Sequence, residues 1–203
     1  MARFILGVTG NIATGKSTVV QMLVAKGAHH IDADAVYHEL IQPGKPLLKN
    51  LVNHFGRDIL NRDGSLNRQA LGDIVFYDPG KLAELDALTH PTVIAESDRR
   101  AFAIEDGVVI LDAVKLIESG HADVCDAVWV ITAPQDTQVE RLMRRNRLDD
   151  SEAWARVEAQ SPLGPKLARA DVVIRNDGSL SDLRRQVDAA WEALPIHQQS
   201  PQG

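Results

Sequence analysis

Gly10-Asn11-Ile12-Ala13-Thr14-Gly15-Lys16-Ser17 is the stretch on which the reading of this chain turns. It matches G-x-x-x-x-G-K-[ST] in full, and the pattern carries chemistry only where a loop leaves a buried strand and opens a helix. Both flanks are present. Arg3–Thr9 holds Phe4, Ile5, Leu6 and Val8, the apolar run of a strand covered on both faces. Lys16–Lys26 places Val19, Val20, Leu23 and Val24 along one side of a helix, with Gly27 as its stop. In such a loop the backbone N–H groups and the helix N-terminus point at bound phosphates. The two glycines allow the tight turn and the close approach. Lys16 reaches the terminal phosphates as a point charge, and the Ser17 hydroxyl is the expected Mg²⁺ ligand. This names a nucleotide site and no reaction: GTPases, motors, small-molecule kinases and inactive binding modules share it.

Outward from the loop, short apolar runs alternate with helical patterns. Strands are predicted around His30 to Asp32, at Val108 to Asp112, at Ala127 to Thr132 and at Asp171 to Arg175. Helices are predicted over Pro134 to Arg147, with proline at its first position, and Ser181 to Leu194, whose stripe is Leu183, Val187, Trp191 and Leu194. Ser179 with Asp182 has the spacing of a capping box. Such alternation predicts an α/β fold, a three-layer α/β/α core around a mostly parallel five-stranded sheet of the P-loop NTP hydrolase type.

Residues 35–105 break the alternation with helical patterns, punctuated by Pro43-Gly44, Asp63-Gly64 and Pro79-Gly80. They read as a helical insertion after the second strand. Residues 148–169 are polar and hold two prolines; with the helix before them they read as a helical lid over 134–169. The core is then 1–34, 106–133 and 170–195 of a single domain, 1–195, with a disordered tail over 196–203.

The chain has 203 residues, 44% hydrophobic and 25% charged, enough for one domain with an insertion. Twenty-eight acidic and 22 basic side chains give a net charge of −6, which disfavours a nucleic-acid coat or a binder of anionic membranes. Phosphates are handled by local charge instead, in Lys16, the loop amides and the arginines from 141 to 147. One cysteine, Cys125, excludes an internal disulfide framework and reads as a small buried hydrophobe. No apolar run has the length of a membrane span, and the N-terminal apolar stretch is short for a signal peptide, so a cytoplasmic protein is expected.

Three groups of side chains could complete a reaction. Asp32-Ala33-Asp34 closes the second strand, where ligands collect in an open parallel sheet. Spacing alone leaves Asp34 equally open as a helix N-cap and as the group that takes a substrate proton. Asp112, after four apolar residues, is placed either to meet Mg²⁺ or simply to end a strand. Arg141, Arg144, Arg145 and Arg147 crowd one helix end, either to steady a transferring phosphoryl group or to favour the helix dipole. Two other signals fail. Asn146-Arg147-Leu148-Asp149 has arginine where a guanine-reading motif needs lysine. A calcium loop over Asn61-Arg62-Asp63-Gly64 would begin at Ile59 and end at Ala70, neither of them a ligand.

With these residues in view the chain resembles the dephospho-CoA kinase family from about residue 3 to residue 192. The landmarks are Gly7-Val8-Thr9-Gly10 leading to Gly15-Lys16-Ser17-Thr18, Ile31-Asp32-Ala33-Asp34, Asp63-Gly64-Ser65-Leu66-Asn67-Arg68, His90-Pro91, Leu116 to Glu118, Arg141-Leu142-Met143 with Arg145, Gln160, Lys166, and Ala170-Asp171-Val172-Val173-Ile174 with Asn176-Asp177-Gly178. The resemblance implies ATP-dependent phosphorylation of the ribose 3′-hydroxyl of dephospho-CoA, the last step of coenzyme A synthesis, with ATP and Mg²⁺ as cofactors. It implies that Ala13, Thr14, Gly15, Lys16, Ser17 and Thr18 wrap the ATP phosphates, and that Asp34 is the general base. Arg141 would contact the phosphates, with Arg145 a second candidate. Asn176 and Gly178 lie where the family holds the adenine edge, and Thr9 and His90 shape the acceptor site. Metal would fall to Ser17 and Asp112, and substrate binding to the helical insertion over 35–105. Asn11 and Ala13 stand where the family usually has glycine, and Val114-Lys115 where it prefers Pro-Leu; Lys115 is expected to add a contact to the acceptor's phosphates. The expected partner is dephospho-CoA alone, without nucleic acid or membrane, and the expected state a monomer or weak homo-oligomer.

Overall fold

The phosphate-loop strand sits at the centre of its sheet. The computed structural model describes residues 2–198, and it divides into two compact units, one of residues 1–31 with 103–203 and one of residues 32–102. The chain opens with β1 (Arg3–Thr9), α1 (Lys16–Ala25) and β2 (His29–Asp32). Then come α2 (Ala33–Leu40), α3 (Pro46–Phe55), α4 (Arg68–Val75) and α5 (Pro79–Phe102), all of them in the second unit. β3 (Gly107–Asp112), β4 (Ala127–Thr132), α6 (Gln135–Asn146), α7 (Asp150–Glu158), α8 (Leu163–Arg169), β5 (Val172–Arg175), α9 (Leu180–Glu192) and α10 (Pro195–Gln198) return to the first.

The sheet order is β2-β3-β1-β4-β5, with β1 parallel to β3 and β4, and β4 parallel to β5. The register pairs Val8 with Asp112 and Thr9 with Val130, so the carboxyl ends of three strands lie side by side. Chain order reverses at β1, the point beyond which ligands bind in sheets of this kind. Leu6, Val8, Ile110, Trp129 and Ile131 pack against Val19, Val20 and Leu23 of α1 and Leu183 and Val187 of α9. These strands are apolar on both faces because helices cover both.

Boundaries moved where a side chain took over a backbone partner. β5 starts at Val172, not Asp171, because the Asp171 carboxylate accepts from the Val128 N–H at 2.7 Å. Pro134 is the N-cap of α6 rather than its first residue, and Arg147 ends that helix in the left-handed conformation, φ 56°. Asp149 then caps α7 in a full capping box with Glu152, which is what Asn146 to Asp149 do in place of reading guanine. The Ser179–Asp182 box is present. Within the stretch expected to be a disordered tail, 196–203, the chain differs: Pro195–Gln198 is a short helix, and Ile196 packs on the core. Residues 199–203 lie outside the described residues.

The helical unit has its own core of Ile41, Leu47, Leu48, Leu51, Ile59, Leu66, Leu71 and Val75. Asn61 to Ser65 form a tight turn closed by the Leu60–Leu66 bridge, with Asp63 accepting from Ser65 N–H at 2.9 Å. α5 continues through Pro91.

Candidate functional site

The phosphate loop is held from outside by two side chains that come from far along the chain. Arg141, half-buried on α6, donates from Nη1 to the Ala13 carbonyl at 3.1 Å and the Thr14 carbonyl at 3.2 Å. Its Nη2 donates to the Asn176 carbonyl at 3.1 Å. The buried Asn176 amide donates to the Thr14 carbonyl at 2.8 Å. The loop's carbonyls therefore turn outward onto protein donors, the arrangement that leaves loop N–H groups for an anion. Thr14 closes the turn on itself, donating from its hydroxyl to the Asn11 carbonyl at 2.9 Å.

Gly10 and Gly15 are forced by contact. A Cβ on Gly10 would lie 2.5 Å from the Ile131 carbonyl oxygen, and one on Gly15, which has φ +94°, would collide with the Asn176 amide. Ala13 occupies the left-handed region at φ 57° without glycine's freedom, and its carbonyl is one of those Arg141 pins. A non-glycine residue in this region carries a strain on the order of 1 kcal/mol that the surrounding bonds must offset.

Lys16 pairs with Asp112, which is 5% exposed, and His30 Nε2 lies 3.2 Å from the other Asp112 oxygen. Ser17 is exposed on the first turn of α1 and Thr18 half-buried beside it. Thr9 is fully buried, and its hydroxyl donates to the Val114 carbonyl at 3.0 Å, so it supports the segment after β3 that carries Lys115.

The same segment receives a brace that sequence reasoning did not assign. Lys166, 1% exposed, donates to the Val114 carbonyl at 2.7 Å and pairs with Glu118 at 2.6 Å. Next to it, Gln160 Oε1 accepts from the Ile12 N–H at 3.1 Å, and the Asn11 amide donates to the Ser161 carbonyl at 3.3 Å. Burial works to raise the Glu118 carboxyl, but the Lys166 hydrogen bond and charge outweigh it and hold the group below its ordinary 4.5. A lowered carboxylate contributes stability above its unfolded value and loses it as pH falls, so the brace is complete at neutral pH. Lys166→Met removes the cation, leaving the exposed Glu118 carboxylate with its Ser161 hydrogen bond and the Val114 carbonyl without the Lys166 donor. It is expected to cost about 1–2 kcal/mol in a urea titration, because Glu118 remains open to solvent. An unchanged midpoint would show that the brace contributes nothing. Gln160, Lys166 and Glu118 were legible only as landmarks of a resemblance, since no local pattern joins residues so far apart.

Some expected residues are elsewhere. Arg145 is exposed and donates to its neighbour Asn146 at 2.9 Å, so it does not join Arg141 on the loop. Gly178 lies in the turn before α9, against Asp182. Asp34 and His90 belong to the helical unit. There Asp32 caps α2, accepting from the Asp34 N–H at 2.8 Å and the Ala35 N–H at 3.2 Å, which corrects the alternative in which Asp34 is the cap. Asp34 stands exposed in the first helical turn, where the helix dipole favours its negative charge. His90 lies 3.3 Å from Asp86, one turn back along α5.

With this geometry in hand, the comparisons with known proteins are specific. The family model of dephospho-CoA kinase matches residues 4–182. A dephospho-CoA kinase of Symbiobacterium thermophilum is 48% identical over 192 residues, covering 93% of this chain and 80% of its own. A crystal structure of a Thermus thermophilus protein superposes with a TM-score of 0.81 at 34% identity, over 96% of this chain and 99% of that one. The dephospho-CoA kinase from Campylobacter jejuni superposes with a TM-score of 0.66 at 26% identity, over 94% and 96% of the two chains.

Proposed function

The chain belongs to the dephospho-CoA kinase family, and on that premise we propose how its residues divide the work. ATP gives its γ-phosphoryl group to the ribose 3′-hydroxyl of dephospho-CoA, leaving ADP and coenzyme A. The observation that carries this reading is the extent of the family match: residues 4–182 take in the helical unit as well as the generic loop.

Ala13 to Thr18 wrap the ATP phosphates, and Lys16 leaves Asp112 to meet the terminal phosphates. Arg141, with five N–H donors and three bonds to carbonyls, keeps its positive charge beside the loop as negative charge spreads over the transferring group. Asn176 fixes the loop from the side on which the adenine edge is held, with Gly178 in the following turn. Asp34 takes the proton of the 3′-hydroxyl; its support is that Asp32, not Asp34, does the capping. Within the helical unit His90 helps to shape the acceptor's site; in the core Lys115 supplies a charge for the acceptor's phosphates, and Thr9 holds the Val114 carbonyl beside it.

Ser17 and Asp112 suit Mg²⁺: both offer hard oxygen ligands, the first exposed at the helix start and the second a buried carboxylate that already draws in Lys16 and His30. When bound, the ion neutralises charge on the β- and γ-phosphate oxygens. Residues 134–169 act as the lid of a single-domain kinase that is a monomer or weak homo-oligomer. Among the described residues no helix is long and apolar enough to cross a membrane.

The test is a panel of acceptors with coupled ADP detection. ADP release with dephospho-CoA, and little with a nucleoside or a sugar acid, supports the reading. Turnover of another small metabolite, or tight ATP binding with no product from any acceptor, overturns it.

A further inference from the structure

Asp112, 5% exposed, ends β3, and its two carboxylate oxygens have different holders. Oδ1 takes the Lys16 ammonium, and Oδ2 lies 3.2 Å from His30 Nε2. His30 stands on β2, the edge strand next to β3, and all three residues belong to the first unit. An ionised carboxylate only accepts, so the ring donates to it through Nε2–H. The acid that holds Lys16 is thus shared with a second donor.

The two holders differ in what they can do next. Lys16 begins α1 on a flexible four-carbon stem, and binding of ATP draws its ammonium off to the terminal phosphates. The His30 ring is shorter and stiffer and stays with its strand. A buried carboxylate left without any donor is strongly disfavoured. In the absence of His30 that would be the state of Asp112 whenever Lys16 departs. With His30 in place, the carboxylate keeps one hydrogen bond on the oxygen that Lys16 does not use.

We propose that His30 is a positioning residue for ATP binding: its Nε2–H keeps hold of Asp112 when Lys16 leaves, and so eases the release of Lys16 to the phosphates. This rests on the reading of the loop as an ATP site. While Lys16 is present, the negative charge of Asp112 is divided between an ammonium and an imidazole. Once Lys16 has gone, the whole charge faces His30. The His30 hydrogen bond therefore strengthens as the ion pair breaks, and offsets part of the free energy of breaking it.

The experiment is calorimetric titration of the full chain with ATP in EDTA, so that no metal meets Asp112. His30→Phe keeps a ring and loses the donor. It is expected to raise the Kd for ATP by about 5- to 20-fold, the lower part of the range for a hydrogen bond to a charged group, because the bond exists in both states and only its strengthening counts. His30→Gln, whose amide nitrogen can stand near the place of Nε2, is expected to bind ATP within about threefold of wild type. In an Asp112→Asn background no carboxylate holds Lys16, and there His30→Phe is expected to change the Kd by less than about twofold. A Kd for His30→Phe within about twofold of wild type overturns the proposal. So does an equal loss in the Asp112→Asn background, since His30 would then support its strand and not the carboxylate. A His30→Gln chain that binds as weakly as His30→Phe overturns it too. Should His30→Phe not fold, His30→Val, which suits a strand, is read by the same criteria. Failure of the parent reading looks different: the wild-type chain itself binds no ATP.

Discussion

Asp34→Asn lowers kcat by roughly 10²- to 10⁴-fold while the chain still folds and binds ATP, the range by which a positioned general base accelerates proton transfer. The substitution removes the only property the mechanism asks of this residue. The amide keeps the size of the carboxylate but cannot take the hydroxyl proton. It leaves the cap of α2 in place, because that cap is the Asp32 carboxylate, bonded to the Asp34 and Ala35 N–H groups. Loss of one negative charge in the first turn costs about 0.3–1 kcal/mol. The companion Asp32→Ala has the opposite profile, a loss of about 1 kcal/mol from the missing cap. Calorimetric binding of ATP alongside kcat separates the two. A turnover rate in Asp34→Asn equal to wild type would remove Asp34 from the role of base.

Lys16→Met is the second large effect. In a P-loop kinase this ammonium stabilises charge that develops on the transferring group, and losing one such electrostatic contact costs on the order of 10²- to 10³-fold in kcat. The side chain also has a structural partner. Asp112 is 5% exposed and paired with Lys16 through one oxygen, and His30 lies 3.2 Å from the other. The variant is therefore expected to lose about 1–3 kcal/mol of folding stability as well, from a buried carboxylate short of one hydrogen-bonding cation. A urea titration reads the stability term and saturating kinetics the catalytic one. Full activity at a lowered midpoint would make Lys16 a structural partner of Asp112 and no more.

The core was legible because its strands are apolar on both faces. Arg3–Thr9 and Ala127–Thr132 are bounded as their sequence predicts. The phosphate loop was legible because its glycines answer to local geometry. Asp32 and Asp34 were harder: two carboxylates two residues apart have the same spacing in either role, and only the hydrogen bonds of the folded turn show which one caps. Arg141 stood out as one of four arginines near a helix end. Its partners, the carbonyls of Ala13 and Thr14 more than 120 residues earlier, have no signature in its neighbourhood. Arg145, by the same local signal, looked equivalent and is not: it sits one turn on and, among the described residues, its side chain donates to Asn146 and not to the loop. The brace of Gln160, Lys166 and Glu118 is of the same kind, and so is the contact of Arg68 on α4 with the His38 ring on α2, 3.0 Å at its shorter approach. Each joins elements whose meeting depends on the fold and not on spacing.

The central claim is that this chain moves one phosphoryl group from ATP to the 3′-hydroxyl of dephospho-CoA. The most direct measurement is incubation of the purified chain with ATP, Mg²⁺ and dephospho-CoA, with the product identified by mass and the position of its new phosphate by phosphorus NMR. The account predicts coenzyme A carrying a 3′-phosphomonoester, formed in step with ADP. ADP formed without coenzyme A, or a phosphate at any other position of the acceptor, would contradict it.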